Sequence, residues 1–111
     1  MLIVLSAALL IGCELILTGD HVYIYSVIAS PTSSEEVRLK NPTDTSVDLA
    51  GWTLGNLGNP TAYTFPSGSI IHSDSYRTCI GAFLGFEIQD SGDVIFLKNA
   101  SGSTVDTWNT Y

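Results

Sequence analysis

From His21 onward, apolar and polar residues alternate with a period of two, and no segment keeps the roughly 3.6-residue rhythm of a helix over three turns. The clearest case is EEVRLK: Val37 and Leu39 share one face, Glu36, Arg38 and Lys40 the other, as in a strand with one wet side. Before it, VYIYSVI (residues 22–28) is rich in β-branched and aromatic residues and predicts a first strand, closed by the loop SPTSS. Asn41-Pro42 with Thr43 and Asp44 predicts a turn, because proline fixes one dihedral and Asn and Asp accept local backbone hydrogen bonds. SVDLAGWTL then sets Val47 and Leu49 on one face, and Gly51 resets the chain so that Trp52 and Leu54 continue inward. TAYTF, SIIHSDS and YRTCIG predict three more short strands, and DVIFLKNASGSTVDTW a hairpin of residues 94–98 and 104–108 around a turn at 99–102.

This pattern predicts a core of Val22, Ile24, Val37, Leu39, Val47, Leu49, Trp52, Leu54, Phe65, Tyr76, Ile80, Val94, Phe96 and Val105. Residues 94–97 are four apolar residues in a row, which leaves the phase of that strand open. Short strands separated by turn signals define an all-β chain, an antiparallel sandwich or barrel. No tandem repeat or low-complexity tract points to a solenoid.

At 111 residues the chain has room for one domain with one core. Lys plus Arg total 4 against 11 Asp plus Glu, so with a net charge of -7 the surface repels a phosphate backbone and nucleic acid is not an expected partner. The charge is uneven: MLIVLSAALLIG carries none, and every acidic group lies at or beyond Glu14. That apolar run is too short to span a bilayer, which takes roughly 20 residues, but it has the length of a secretory apolar core. Residues 1–12 are therefore expected to be a signal peptide, 13–20 a short tether and 21–111 the folded domain. LIGC, ending at Cys13, resembles the lipobox of bacterial lipoproteins, which implies cleavage before Cys13, lipidation of its thiol, and an exported chain, lipid-anchored in the cell envelope or secreted. No Lys or Arg precedes the apolar run, so an apolar first strand or a fragment edge stays open beside the leader.

Candidate chemistry is thin. His21 and His72 stand far apart without ligand-spaced partners, and neither HExxH nor CxxC occurs, so neither a metal nor any other cofactor is expected. Asp90 and Asp93 straddle a Ser-Gly turn and Asp44 and Asp48 flank another; turn capping is the ordinary role, with calcium at Asp90 and Asp93 as the alternative. The glycine-rich GNLGNP is followed by neither lysine nor helix, which excludes a phosphate loop, and GxSxG is absent. Cys79 reads as a core neighbour or as the disulfide partner of Cys13. Tyr23 and Tyr25, opposite Val22 and Ile24, together with Trp108 and Tyr111, are the aromatics that serve either a core or a binding face.

EVRLKNPTDTSVDLAGWTL resembles the signature of the lamin tail domain family through Glu36, Leu39, Asn41, Asp44, Val47, Asp48, Leu49, Gly51, Trp52 and Leu54. The similarity continues through Phe65-Pro66 with Gly68, Tyr76, the run Gly92, Asp93, Val94, Ile95 and Leu97, and then Gly102, Val105, Asp106 and Tyr111. Ser26 and Arg38 depart from it, standing where the family usually carries acidic residues. The resemblance implies an immunoglobulin-like, Greek-key β-sandwich over residues 21–111, with no catalytic residues to carry over, in which Glu36, Leu39, Asn41, Asp48, Leu49, Gly51 and Trp52 build structure. It implies a non-catalytic, envelope-tethered module that binds protein or serves structure, attached to membrane through the lipid at Cys13. The alternative it offers is the accessory domain of a larger secreted hydrolase such as a nuclease or phosphatase.

Overall fold

A computed structural model describes residues 21–30 and 34–111. Its strands are β1 (Tyr23–Ile28), β2 (Glu36–Asn41), β3 (Val47–Asp48), β4 (Thr53–Gly55), β5 (Tyr63–Thr64), β6 (Ile70–Ile71), β7 (Ser75–Ile80), β8 (Val94–Lys98) and β9 (Thr104–Asn109). One helical turn, α1 (Gly81–Leu84), follows β7; it ends at Gly85, whose φ of 75° is a left-handed conformation that glycine adopts without strain. The alternating sequence predicts no such turn.

All pairings are antiparallel: β1-β2-β7 form one sheet, β9-β8-β4-β5 a second, and β3-β6 a short ribbon. Pairing of β2 with β7 and of β4 with β8 requires the chain to cross between sheets, the Greek-key habit of an immunoglobulin-like sandwich. One core joins them, with Val22, Ile24, Val37 and Leu39 from the first sheet and its approach, and Leu54, Ile95 and Leu97 from the second. The sheets are tied at one margin by Asp106, whose carboxylate accepts the N–H of Ile24 at 2.8 Å. A bulge in β9 before Asp106 aims that side chain, and a second bulge in β1 gives Tyr25 no partner of its own in β2, so that both Ile24 and Val27 face inward.

The core departs from the predicted one in four places. Tyr76 and Ile80 lie on the outside, because the register sets Cys79 opposite Val37 and Arg77 opposite Leu39 and so gives the inward face of β7 to Arg77 and Cys79. In β8 Ile95 and Leu97 are buried, whereas Val94 and Phe96 are half-buried. Val47, Trp52 and Val105 pack against the core from its margin. Ile71, Leu84 and Ile88 complete it, two of them from the turn and loop after β7.

Candidate binding face

The residues of the 36–54 stretch build a corner. Asn41, fully buried, closes it: its amide donates to the carbonyls of Thr45 and Ile71, both at 2.9 Å, and its oxygen accepts the N–H and hydroxyl of Thr43 at 3.0 and 2.7 Å. Asp48 accepts the N–H of Ala50 at 2.9 Å, and Gly51 turns with φ of 82°. That turn lets Gly51 donate to Phe65 and Phe65 donate back to Trp52. Leu39 and Leu49 are fully buried, while Glu36 lies on the outer face with an oxygen 3.7 Å from Arg38. None of these groups is left facing a ligand except Glu36. Asp44 is exposed in the same corner.

Asp93 is likewise occupied. Its two oxygens accept the N–H groups of Leu57, Val94 and Gln89 and the amide of Asn56, at 2.8 to 3.2 Å. Burial opposes its charge, but these donors outweigh it and hold the carboxyl below the usual range. Those donors take the oxygens that calcium would need, and among the described residues no group of three or more His, Cys, Asp and Glu is placed to hold a metal. Nearby Glu35 is 3 % exposed; one oxygen accepts the N–H of Ile88 at 3.2 Å and the other is buried without a partner. Burial raises its pKa against the pull of that N–H, helped by the charges of Glu87, Asp90 and Asp93.

His21 is exposed ahead of β1, and His72 meets the Ser46 hydroxyl at 3.3 Å in another loop. Cys79 is a free thiol whose pKa burial pushes up to about 11 despite the charge of Arg77, the reverse of what a nucleophile needs. Cys13 and the rest of the leader and tether lie outside the described residues.

The features that fit recognition lie on the outer face of β1-β2-β7. Tyr25, Ile28, Tyr76 and Ile80 are 45 %, 42 %, 48 % and 47 % exposed there, on a face where strand alternation ordinarily puts polar groups. Rings of Tyr25 and Tyr76 meet edge-on, with centroids 4.8 Å apart. The Lys40 ammonium stands 4.3 Å from the Tyr76 ring centre and 2.8 Å from an Asp74 oxygen, whose hydrogen bond raises the Lys40 pKa and lowers that of Asp74. Arg38 lies 5.9 Å from the same ring and donates to Thr78 Oγ1 at 3.3 Å. This sheet holds three of the chain's four basic residues; Arg38 and Lys40 stand on the outer face beside the carboxylates of Glu36 and Asp74, while Arg77 of β7 faces the other way.

Around the margin of β7 the face continues into a cleft of about 290 Å³, lined by Tyr63, Arg77, Thr78, Cys79, Ile80 and Phe83. Of the aromatics picked from the sequence, Tyr25 is on the face, Tyr23 is half-buried, Trp108 packs on the core and Tyr111 is exposed near Gly92. Sequence reasoning assigned Tyr76 and Ile80 to the core; the signal that relocates them is the unambiguous phase of β2, to which β7 is registered.

The fold and this face define a non-catalytic β-sandwich module of the protein-binding or structural kind. The family model of the Lamin Tail Domain matches residues 18–111, and the chain belongs to that family. Its partner class is therefore protein. No curated protein matches the chain.

Proposed function

We propose that this lamin tail domain is held at the cell envelope through a lipid on Cys13 and binds an acidic protein surface with the outer face of β1-β2-β7. The observation that carries the binding half is the cluster of exposed Tyr25, Tyr76, Ile28 and Ile80 beside Arg38 and Lys40. Tyrosine and arginine around an apolar centre are the usual composition of binding hot spots, and Arg38 and Lys40 can turn from Glu36 and Asp74 to carboxylates of the partner. The tether half rests on MLIVLSAALLIG followed by Cys13. Among the described residues, no helix is long and apolar enough to cross a membrane.

Two measurements test the reading. Intact mass of the protein made in a bacterial host should show a species starting at Cys13 with an added diacylglycerol-type mass, absent from Cys13→Ser; a chain retaining residues 1–12 would refute the tether. A photocrosslinking residue at Tyr76 should trap a discrete protein that the same residue at exposed Ser101 does not. Equal trapping from both positions would refute the face.

A further inference from the structure

The free margin of β7 has unspent hydrogen-bonding groups. Among the described residues, β7 stands last in its sheet and pairs with β2 alone. In an antiparallel ladder, residues alternate between exchanging hydrogen bonds with the partner and turning their backbone groups away. Gly81 donates to the Glu35 carbonyl at 2.7 Å in continuation of that ladder, which fixes the phase: residues 79, 77 and 75 bond to β2, and Tyr76, Thr78 and Ile80 turn their N–H and C=O outward. The Ile80 carbonyl serves α1 as its N-cap acceptor. Thr78 N–H, Thr78 C=O and Ile80 N–H have no partner among the described residues and lie along the rim of the 290 Å³ cleft.

The cleft also has a charge to satisfy. Arg77 is half-buried in it, and its one hydrogen bond among the described residues is a long 3.5 Å contact to the Ile70 carbonyl. Beside it Phe83 is 70 % exposed, and Tyr63 forms the opposite wall. Backbone groups at strand spacing, an arginine with donors to spare and an apolar wall one step further along together describe a slot for an extended segment.

We infer that the margin of β7 at Thr78 and Ile80 is a strand-addition site for an extended acidic peptide of a partner protein, one carboxylate pairing with Arg77 and the next cleft-facing side chain, apolar, packing on Phe83 and Tyr63. This rests on the protein-binding reading above and adds to it the mode and the peptide chemistry. A second copy of this chain is the less suited occupant: antiparallel pairing of two β7 strands about Thr78 brings the two Arg77 side chains close together.

The test is amide NMR of the full chain titrated with a synthetic eight-residue peptide in which glutamate and valine take turns at every second position with threonine between them, so that one face presents both, beside its counterpart with lysine in place of glutamate and a version N-methylated along one edge. The expected result is slowed exchange of the Thr78 and Ile80 amides with shifts at Phe83, about tenfold weaker binding for Arg77→Gln, and no binding by the lysine or N-methylated peptides. Thr78→Pro, which removes an outward N–H, should stay folded and lose the peptide. Shifts confined to Tyr25 and Lys40 would overturn the strand-addition site while leaving the protein-binding face standing. Absence of any shift, or protection of Thr78 that grows with protein concentration alone, would overturn it as well; crosslinking at Tyr76 reports on the broader reading separately.

Discussion

Replacing Asn41 with alanine tests whether the 36–54 stretch is held by its side-chain bonds. The change removes two donated and two accepted hydrogen bonds at once. The bond to the Ile71 carbonyl is buried, so that acceptor is left without a partner, at a cost of about 1–3 kcal/mol. The contacts with Thr43 and Thr45 lie nearer solvent, where water recovers part of the loss, and together they add about 1–2 kcal/mol. A sum of roughly 2–5 kcal/mol is a large share of the roughly 5–13 kcal/mol expected of a domain this size. At about 4–8 °C per kcal/mol, Tm should fall by roughly 10–40 °C. Urea and thermal unfolding followed by fluorescence of the half-buried Trp52 and Trp108 measures this directly. Asn41→Asp is the companion: it keeps an acceptor for Thr43 but sets a second carboxylate oxygen against the carbonyls of Thr45 and Ile71, and should be at least as harmful at neutral pH. An Asn41→Ala protein within about 1 kcal/mol of the parent would show that backbone pairing, with the amide incidental, holds this corner.

Other outcomes follow from single sites. The Asp93 carboxyl is held low in the fold, so its stabilisation is complete above the unfolded value of about 3.9 and is lost as pH falls through the lower folded value; Asp93→Asn should cost about 2–4 kcal/mol at neutral pH and converge on the parent in acid melts. Glu35 has the opposite sign: its folded pKa is raised, so its charge destabilises the fold at neutral pH and that penalty fades as pH drops through the raised value toward 4.5. Glu35→Gln should therefore match or exceed the parent in Tm at neutral pH, with the difference shrinking on acidification; a constant difference would refute the assignment. Cys79, with its pKa near 11, should react with a disulfide reagent in a Cys13→Ser background about two hundredfold more slowly than the unfolded chain at pH 8, since roughly one thiol in a thousand is ionised there. A Cβ at Gly55 would collide with the backbone of Asn59 and Pro60, so Gly55→Ala should abolish folding where Gly58→Ala, in open space apart from Asn56, leaves soluble yield unchanged.

Charge is what made β2 readable. Glu36, Arg38 and Lys40 cannot all be buried, so its alternation has one solution, and the structure adopts it. β7 offers Tyr76, Thr78 and Ile80 on one face and Ser75, Arg77 and Cys79 on the other; hydrophobicity favours burying the first set, and the register with β2 buries the second. Local pattern loses to pairing there, because six residues of edge strand gain less from choosing their own phase than from completing a ladder. Residues 94–97 were undecidable for a simpler reason, being apolar on both faces. Asp93 reads locally as a turn cap, and two of its bonds, to Gln89 and Val94, are local; the other two come from Leu57 and Asn56, 36 and 37 positions away, which no window over the sequence contains. The proposed binding face was hidden by the same logic that found the core. Periodicity assigns apolar residues inward, so an apolar outer surface is invisible to it until a charged strand fixes the phase of its neighbour. Lys40 opposite Tyr76 is that fixing pair: once Lys40 must face water, Tyr76 must face it too, and the tyrosine is exposed by the lysine's charge.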